Sequence, residues 1–120
     1  HNSLTYAAAN NAPILISKNN IIELAKNRMP VGKGERNESF TLHHISASQG
    51  DVLYLYTDGY ADQFGGPKGK KFKYKQLNDL LLEISAKSMN EQKEILTTTF
   101  SQWKGNLEQV DDVLLIGMII

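Results

Sequence analysis

The chain has 120 residues, 13 basic and 13 acidic side chains, and a formal net charge of zero. That length suits one domain or part of one, and 41% hydrophobic with 22% charged residues excludes a largely disordered chain. The balanced charge exerts no general pull toward nucleic acid or an anionic membrane, and the lack of Cys removes disulfide scaffolds, Cys-based zinc sites and every thiol nucleophile.

Leu4 to Ala8 reads as a strand from the outset, with no charged-then-apolar leader before it. This start is expected of the C-terminal part of something longer. Asn10-Asn11-Ala12-Pro13 signals a turn. Ile14 to Ser17 and Ile21 to Leu24 flank Lys18-Asn19-Asn20 and predict a hairpin. Asn27 to Asn37 holds Pro30, Gly32 and Gly34 without periodicity, which predicts a loop; Met29 and Pro30 within it take no assigned role. Phe40 to Ile45 alternates and predicts another strand, with His43 and His44 on opposite faces, so that the two cannot easily share one ion.

Gln49-Gly50-Asp51 turns the chain into Val52 to Tyr56. That segment is apolar on both faces, as a central buried strand would be. Phe64 to Lys71 carries three Gly, one Pro and three Lys and predicts a mobile loop. Lys68, Lys70, Lys71, Lys73 and Lys75 form a basic run, read as a solvated segment whose aromatics Phe72 and Tyr74 pack inward. From Lys75 the period becomes helical, with Leu77, Leu80, Leu81 and Ile84 on one stripe. Ser88 with Glu91 predicts a capping box for a second helix. Leu96, Phe100 and Trp103 form its apolar face and Gly105 stops it. Val113 to Ile120 predicts a last strand, apolar on both faces and therefore central, and too short for the roughly 20 residues that cross a bilayer. Strands, then two helices, then one strand argue for an α+β fold.

Two acidic sites flank the strands predicted to be buried. Asp58 follows Val52 to Tyr56, and Asp111 and Asp112 precede Val113 to Ile120. If those strands are antiparallel neighbours, the carboxylates converge at one sheet edge. Clustered carboxylates repel and call for a cation, and hard oxygen donors select Mg²⁺, Mn²⁺ or Ca²⁺ over zinc. Gly59 removes a side chain beside Asp58 and lets backbone or water approach. The bland alternative is a pair of strand-ending turns, for which Asp-Gly is common.

Three segments carry a family resemblance. Leu4-Thr5-Tyr6-Ala7-Ala8-Ala9-Asn10-Asn11-Ala12-Pro13 resembles the Tyr-Ala-Asn-Ala-Gly-His-Asn-Pro-Pro segment of SpoIIE/RsbU-type phosphatases, the bacterial branch of the metal-dependent PP2C (PPM) family. Gly50-Asp51 through Thr57-Asp58-Gly59 is similar to that family's Gly-Asp to Tyr-Thr-Asp-Gly strand. Asp111-Asp112-Val113-Leu114-Leu115 is similar to its closing Asp-Asp strand. The three stand in register over Leu4 to Ile120, and the segment Asp58 to Phe72 looks most like Bacteroidetes-type members. The resemblance implies a PP2C-like antiparallel β-sandwich flanked by helices, represented by residues 1–120 as its C-terminal part.

It also implies two Mn²⁺ or Mg²⁺ ions that bridge and activate a water for attack on phosphoserine or phosphothreonine, with no covalent intermediate. By position, Asp58 with Gly59 and Asp111 are the metal motif, Asp112 is a neighbour of the ligands, and Asp62 lies where some relatives hold an accessory metal. The implied partner is a phosphorylated regulatory protein, such as a STAS-type anti-anti-sigma factor, in the cytoplasm. No nucleic acid or membrane contact is expected, and exposed sheet edges would favour a homodimer.

The chain departs from the family pattern in three places. Asp58-Gly59 is its only Asp-Gly pair, so the family's earlier metal motif is missing, and the chain alone is expected to bind Mn²⁺ weakly and not to turn over substrate. Asn10-Asn11 replaces Gly-His, and Leu114 replaces the usual Thr. A non-catalytic regulatory module of the same fold is the alternative. A phosphoacceptor receiver domain fits less well, because receivers place paired acids after the first strand, and here Asp111-Asp112 precede the last.

Overall fold

The two-residue turn Lys18-Asn19 shows most directly how this sequence makes its fold. Both residues take positive φ, +51° and +61°, the geometry that matches the twist of a tight hairpin. It joins β2 (Ile14–Ser17) to β3 (Asn20–Glu23), as the sequence predicts. The structure, a computed structural model, describes residues 2–27 and 39–120. The predicted loop from Asn27 to Asn37 lies outside the described residues except for Asn27, and so do Met29, Pro30 and His1.

The remaining elements are β1 (Asn2–Tyr6), β4 (His43–Ala47), β5 (Val52–Tyr56), α1 (Gly59–Asp62), β6 (Phe64–Gly65), β7 (Lys70–Lys71), α2 (Tyr74–Ile84), α3 (Met89–Lys104) and β8 (Leu115–Ile119). They fall into two compact units. One takes the residues up to Leu55 together with Ile116–Ile120, the other Tyr56–Leu115.

The first unit is a sandwich of antiparallel strands. β1 pairs with β4, Tyr6 opposite His43 and Asn2 opposite Ala47. A second sheet runs β3-β2-β5-β8, with Ile14 opposite Tyr54 and Ile16 opposite Val52. Leu15, Leu24 and Leu53 form the core between them, and Leu4, Tyr6, Ile45 and Ile120 pack against it. Burial pushes the Tyr54 phenol up to about 12 by penalising the phenolate.

Three strand expectations need correction here. The strand expected over Phe40 to Ile45 starts later, at His43, and Leu42 is exposed; Asn27 accepts the Thr41 amide and holds that approach segment out of the ladder. β5 is central, yet Leu55 is partly exposed. β8 is not central among the described residues but stands at the sheet edge, with Ile116, Met118 and Ile119 exposed. Apolar faces signal a need for cover without naming its source. His43 and His44 do take opposite faces: His43 stacks on Tyr6 at 5.1 Å, and the His44 ring meets the Thr5 hydroxyl at 3.0 Å.

The second unit is built around aromatic rings and two helices. Leu77, Leu81 and Ile84 of α2 are buried on the predicted stripe, with Leu80 half-buried. Ser88 caps α3 as expected. Its Oγ accepts the Glu91 amide at 3.2 Å, the N-cap half of a capping box, and donates to the Glu91 carboxylate at 3.2 Å. Gly105 ends the helix.

Phe64 to Lys71, predicted as a mobile loop, is instead the β6–β7 hairpin. It is fastened to α3. The Gly66 amide donates to the Trp103 carbonyl at 2.8 Å, and a Cβ on Gly65 would sit 1.8 Å from that same oxygen. The Trp103 indole donates to the Gln63 carbonyl at 2.9 Å. Phe72 packs edge-on to both Tyr60 and Trp103 at 5.3 Å, and Tyr60 meets Phe100 at 5.0 Å. Gln63 and Gln92 are buried, and their amides are satisfied by carbonyls. Among the described residues no helix is long and apolar enough to cross a membrane.

Candidate functional site

All five site residues expected from the sequence, Asp58, Gly59, Asp62, Asp111 and Asp112, fall in the second unit. Thr57 draws them together. Its amide donates to the Leu114 carbonyl at 2.9 Å, the Leu114 amide donates to its Oγ1 at 3.1 Å, and Oγ1 donates to the Asp112 carbonyl at 3.3 Å. This clasp joins the end of β5 to the segment leading into β8. Asp51 and Ile120 bond at the other end of the pair, so the two strands run antiparallel. The antiparallel condition is therefore met, and it sets the Asp58 turn beside the Asp112 backbone.

Gly59 makes the approach close. A Cβ there would lie 2.2 Å from the Asp112 carbonyl oxygen and 2.9 Å from its carbon. Any side chain would push the two segments apart, so the value of Gly here is space rather than backbone freedom. The turn then continues into α1, with the Asp62 amide donating to the Asp58 carbonyl at 2.9 Å.

The carboxylates differ in what they meet. Asp58 is half-buried and accepts a hydrogen bond at Oδ1 from the Tyr74 hydroxyl. Asp111 is exposed, and its Oδ1 accepts the Asp112 amide at 2.8 Å. Asp112 is exposed, and its carbonyl is the one held by Thr57. Asp62 turns to Lys71, with an Nζ to Oδ1 distance of 3.7 Å. The Tyr74 phenol is pushed well above its ordinary value, first by burial, then by its hydrogen bond to Asp58 and the charges of Asp58 and Asp62.

Tyr74 and Thr57 are the participants that sequence reasoning missed. Tyr74 reads as an aromatic in a lysine run, and its bond to Asp58 spans 16 residues, beyond any local signal. The five lysines of that run are exposed and Phe72 is buried, as expected, whereas Tyr74, expected to pack inward, is 40% exposed because its hydroxyl turns to Asp58. Asp58, Asp62, Asp111 and Asp112 offer only carboxylate oxygens. That chemistry suits a hard divalent cation such as Mg²⁺ or Mn²⁺ and disfavours zinc. Among the described residues, no three His, Asp or Glu side chains stand close enough to form a complete metal cluster.

The sequence matches the family described as Stage II sporulation protein E (SpoIIE) over residues 1–119. The chain belongs to the SpoIIE family. Solved structures of PP2C phosphatase domains share its fold. The SiaA-PP2C domain of Pseudomonas aeruginosa superposes with a TM-score of 0.90 at 24% identity, covering 98% of this chain and 46% of that one. The PP2C phosphatase domain of Bacillus subtilis SpoIIE, solved with a fragment of its regulatory domain, gives 0.71 at 15% identity, covering 98% and 34%. A second structure of the B. subtilis phosphatase domain, in a crystal form without domain swapping, gives 0.59 at 13% identity, covering 96% and 48%. The SpoIIE-family chain described here thus spans between a third and a half of the length of these solved chains. No curated protein matches it in sequence. The PP2C-like fold expected from the three motifs is borne out, as mixed α and β structure with antiparallel sheets.

Proposed function

We propose that this chain is part of a metal-dependent protein serine/threonine phosphatase, in which Asp58 and Asp111 hold a divalent cation, Mn²⁺ or Mg²⁺. The observation that carries this reading is the Thr57–Gly59 clasp, which lays the Asp58 turn against the Asp112 backbone at van der Waals limits. Family membership and the all-oxygen donor set support it. When bound, the cation would act as a Lewis acid toward the phosphoryl oxygens and lower the pKa of a water.

The chain's own residues then have separable tasks. Asp58 and Asp111 supply negative charge at the end of one strand and just before the other. Gly59 and Thr57 fix the spacing between them. Asp62, paired with Lys71, keeps that lysine beside the acidic group. The exposed Lys68, Lys70 and Lys73 offer positive charge to the phosphate dianion of a phosphoserine or phosphothreonine on a regulatory partner protein.

The test is a calorimetric Mn²⁺ titration of this chain and of the double variant Asp58→Asn/Asp111→Asn. Saturable binding to the chain, lost in the double variant, is the expected outcome. Binding of equal strength in both would overturn the assignment and favour a non-catalytic module with the same fold.

A further inference from the structure

We propose that Tyr74 is a positioning residue for Asp58, holding one carboxylate oxygen so that the other is presented to the cation. The proposal rests on the reading of Asp58 as a metal ligand.

Three observations fix the Tyr74 hydroxyl where it is. The first is its backbone. The preceding residue, Lys73, sits at φ +77°, a region that a side-chain-bearing residue keeps only where its surroundings impose it. Here they do. The Lys73 amide donates to the Ala61 carbonyl at 2.7 Å, and the Phe72 amide donates to the Gln63 carbonyl at 3.0 Å. Phe72 itself is a buried plug between Tyr60 and Trp103. The segment before Tyr74 is thereby bolted to α1, which begins one residue after Asp58.

The second is its ring. Tyr74 lies tilted against Tyr56 at 6.0 Å. The Tyr56 hydroxyl donates to Asn78 Oδ1 at 3.1 Å, and Asn78 stands four residues beyond Tyr74 on the same helix. The third is the bond itself, from the Tyr74 hydroxyl to Asp58 Oδ1. Asn78, Tyr56, Tyr74 and Asp58 thus form a continuous polar and aromatic belt around the end of β5.

A carboxylate held at one oxygen keeps a single orientation of the other. Hydrogen bonds from outside the ligand set do this for metal-binding carboxylates, and their loss typically costs about 10–100-fold in metal affinity. Tyr74 is partly exposed, so removing its hydroxyl while keeping the ring leaves the packing in place.

The experiment is Mn²⁺ calorimetry on this chain, Tyr74→Phe, Tyr56→Phe and Asp58→Asn, with a thermal unfolding curve for each. We expect Tyr74→Phe to weaken binding at least about 10-fold at unchanged Tm, and Tyr56→Phe, which removes the bond to Asn78 and keeps the ring against Tyr74, to weaken it less. If Asp58→Asn abolishes binding but Tyr74→Phe binds equally well or more tightly, the positioning role is overturned and the metal reading survives. If both Tyr variants weaken binding alike, the effect is a general loosening of the aromatic pair and the specific role fails. If Asp58→Asn leaves binding unchanged, the metal reading fails and the positioning role with it.

Discussion

Helix α2 and strand β8 both present large apolar side chains, and these end in opposite situations. Leu77 and Leu81 of α2 are completely buried, whereas Met118 of β8 is 46% exposed and Ile119 56%. A helix with apolar residues at i, i+3, i+4 and i+7 names the face to be covered and leaves the other polar. A strand apolar on both faces asks for two covers and names neither. Periodicity therefore locates burial in the first case and only a demand for it in the second. The same contrast runs within the strand unit itself, where Ile14, Ile16, Val52 and Tyr54 of β2 and β5 are buried and the β8 edge is exposed.

The comparison breaks most visibly at Leu81. Leu81→Ala should cost about 2–5 kcal/mol, the range for a large-to-small change at a fully buried site, read by urea unfolding. A loss close to that of a surface change would mean that α2 is not held as the structure has it. Gly59→Ala comes next. The added methyl must displace the Asp112 carbonyl, which is backbone and cannot rotate aside. About 1–3 kcal/mol is the expected cost of such overpacking. The diagnostic sign is that Mn²⁺ affinity falls as well, since the clasp between the two acidic segments opens. A stable Gly59→Ala that binds Mn²⁺ normally would show that the close approach is incidental to the site.

Much of this was legible because its causes are local. Ser88 and Glu91 lie three residues apart, the Lys18-Asn19 turn is read from adjacent positions, and the α2 stripe repeats within four residues. The meeting of the two acidic segments was legible one step further out, because Asp58 and Asp111 each abut a strand that must find a neighbour. The β6–β7 hairpin was not, since Gly65 and Gly66 are held by Trp103, 38 and 37 positions away. Read locally, three Gly, a Pro and three Lys can only suggest a loop. Tyr74 escaped for the same reason: its identity as a tyrosine matters only where the chain returns to Asp58. The central place expected for β8 rested on the run from Val113 to Ile120, which records hydrophobicity alone; among the described residues β8 lies at the sheet edge.

The smallest expected effect tests the other side of the comparison. Met118 sits on the uncovered part of β8, so Met118→Ser removes little that the fold has taken out of water. Its cost should stay within about 0.5 kcal/mol, as for surface positions in general, and Tm should not depend on protein concentration. The same substitution at a position buried like Leu81 would forfeit transfer free energy and leave a cavity besides. If Met118→Ser instead costs more than about 1 kcal/mol, a penalty surface changes rarely reach, and the parent Tm climbs with concentration, then β8 is covered in solution by a second copy of the chain. Linkage requires that climb, because an association that stabilises only the folded state strengthens as the partner becomes more abundant. The exposed edge would then be an interface, and the contrast between α2 and β8 would become one between cover supplied within the chain and cover supplied by another copy.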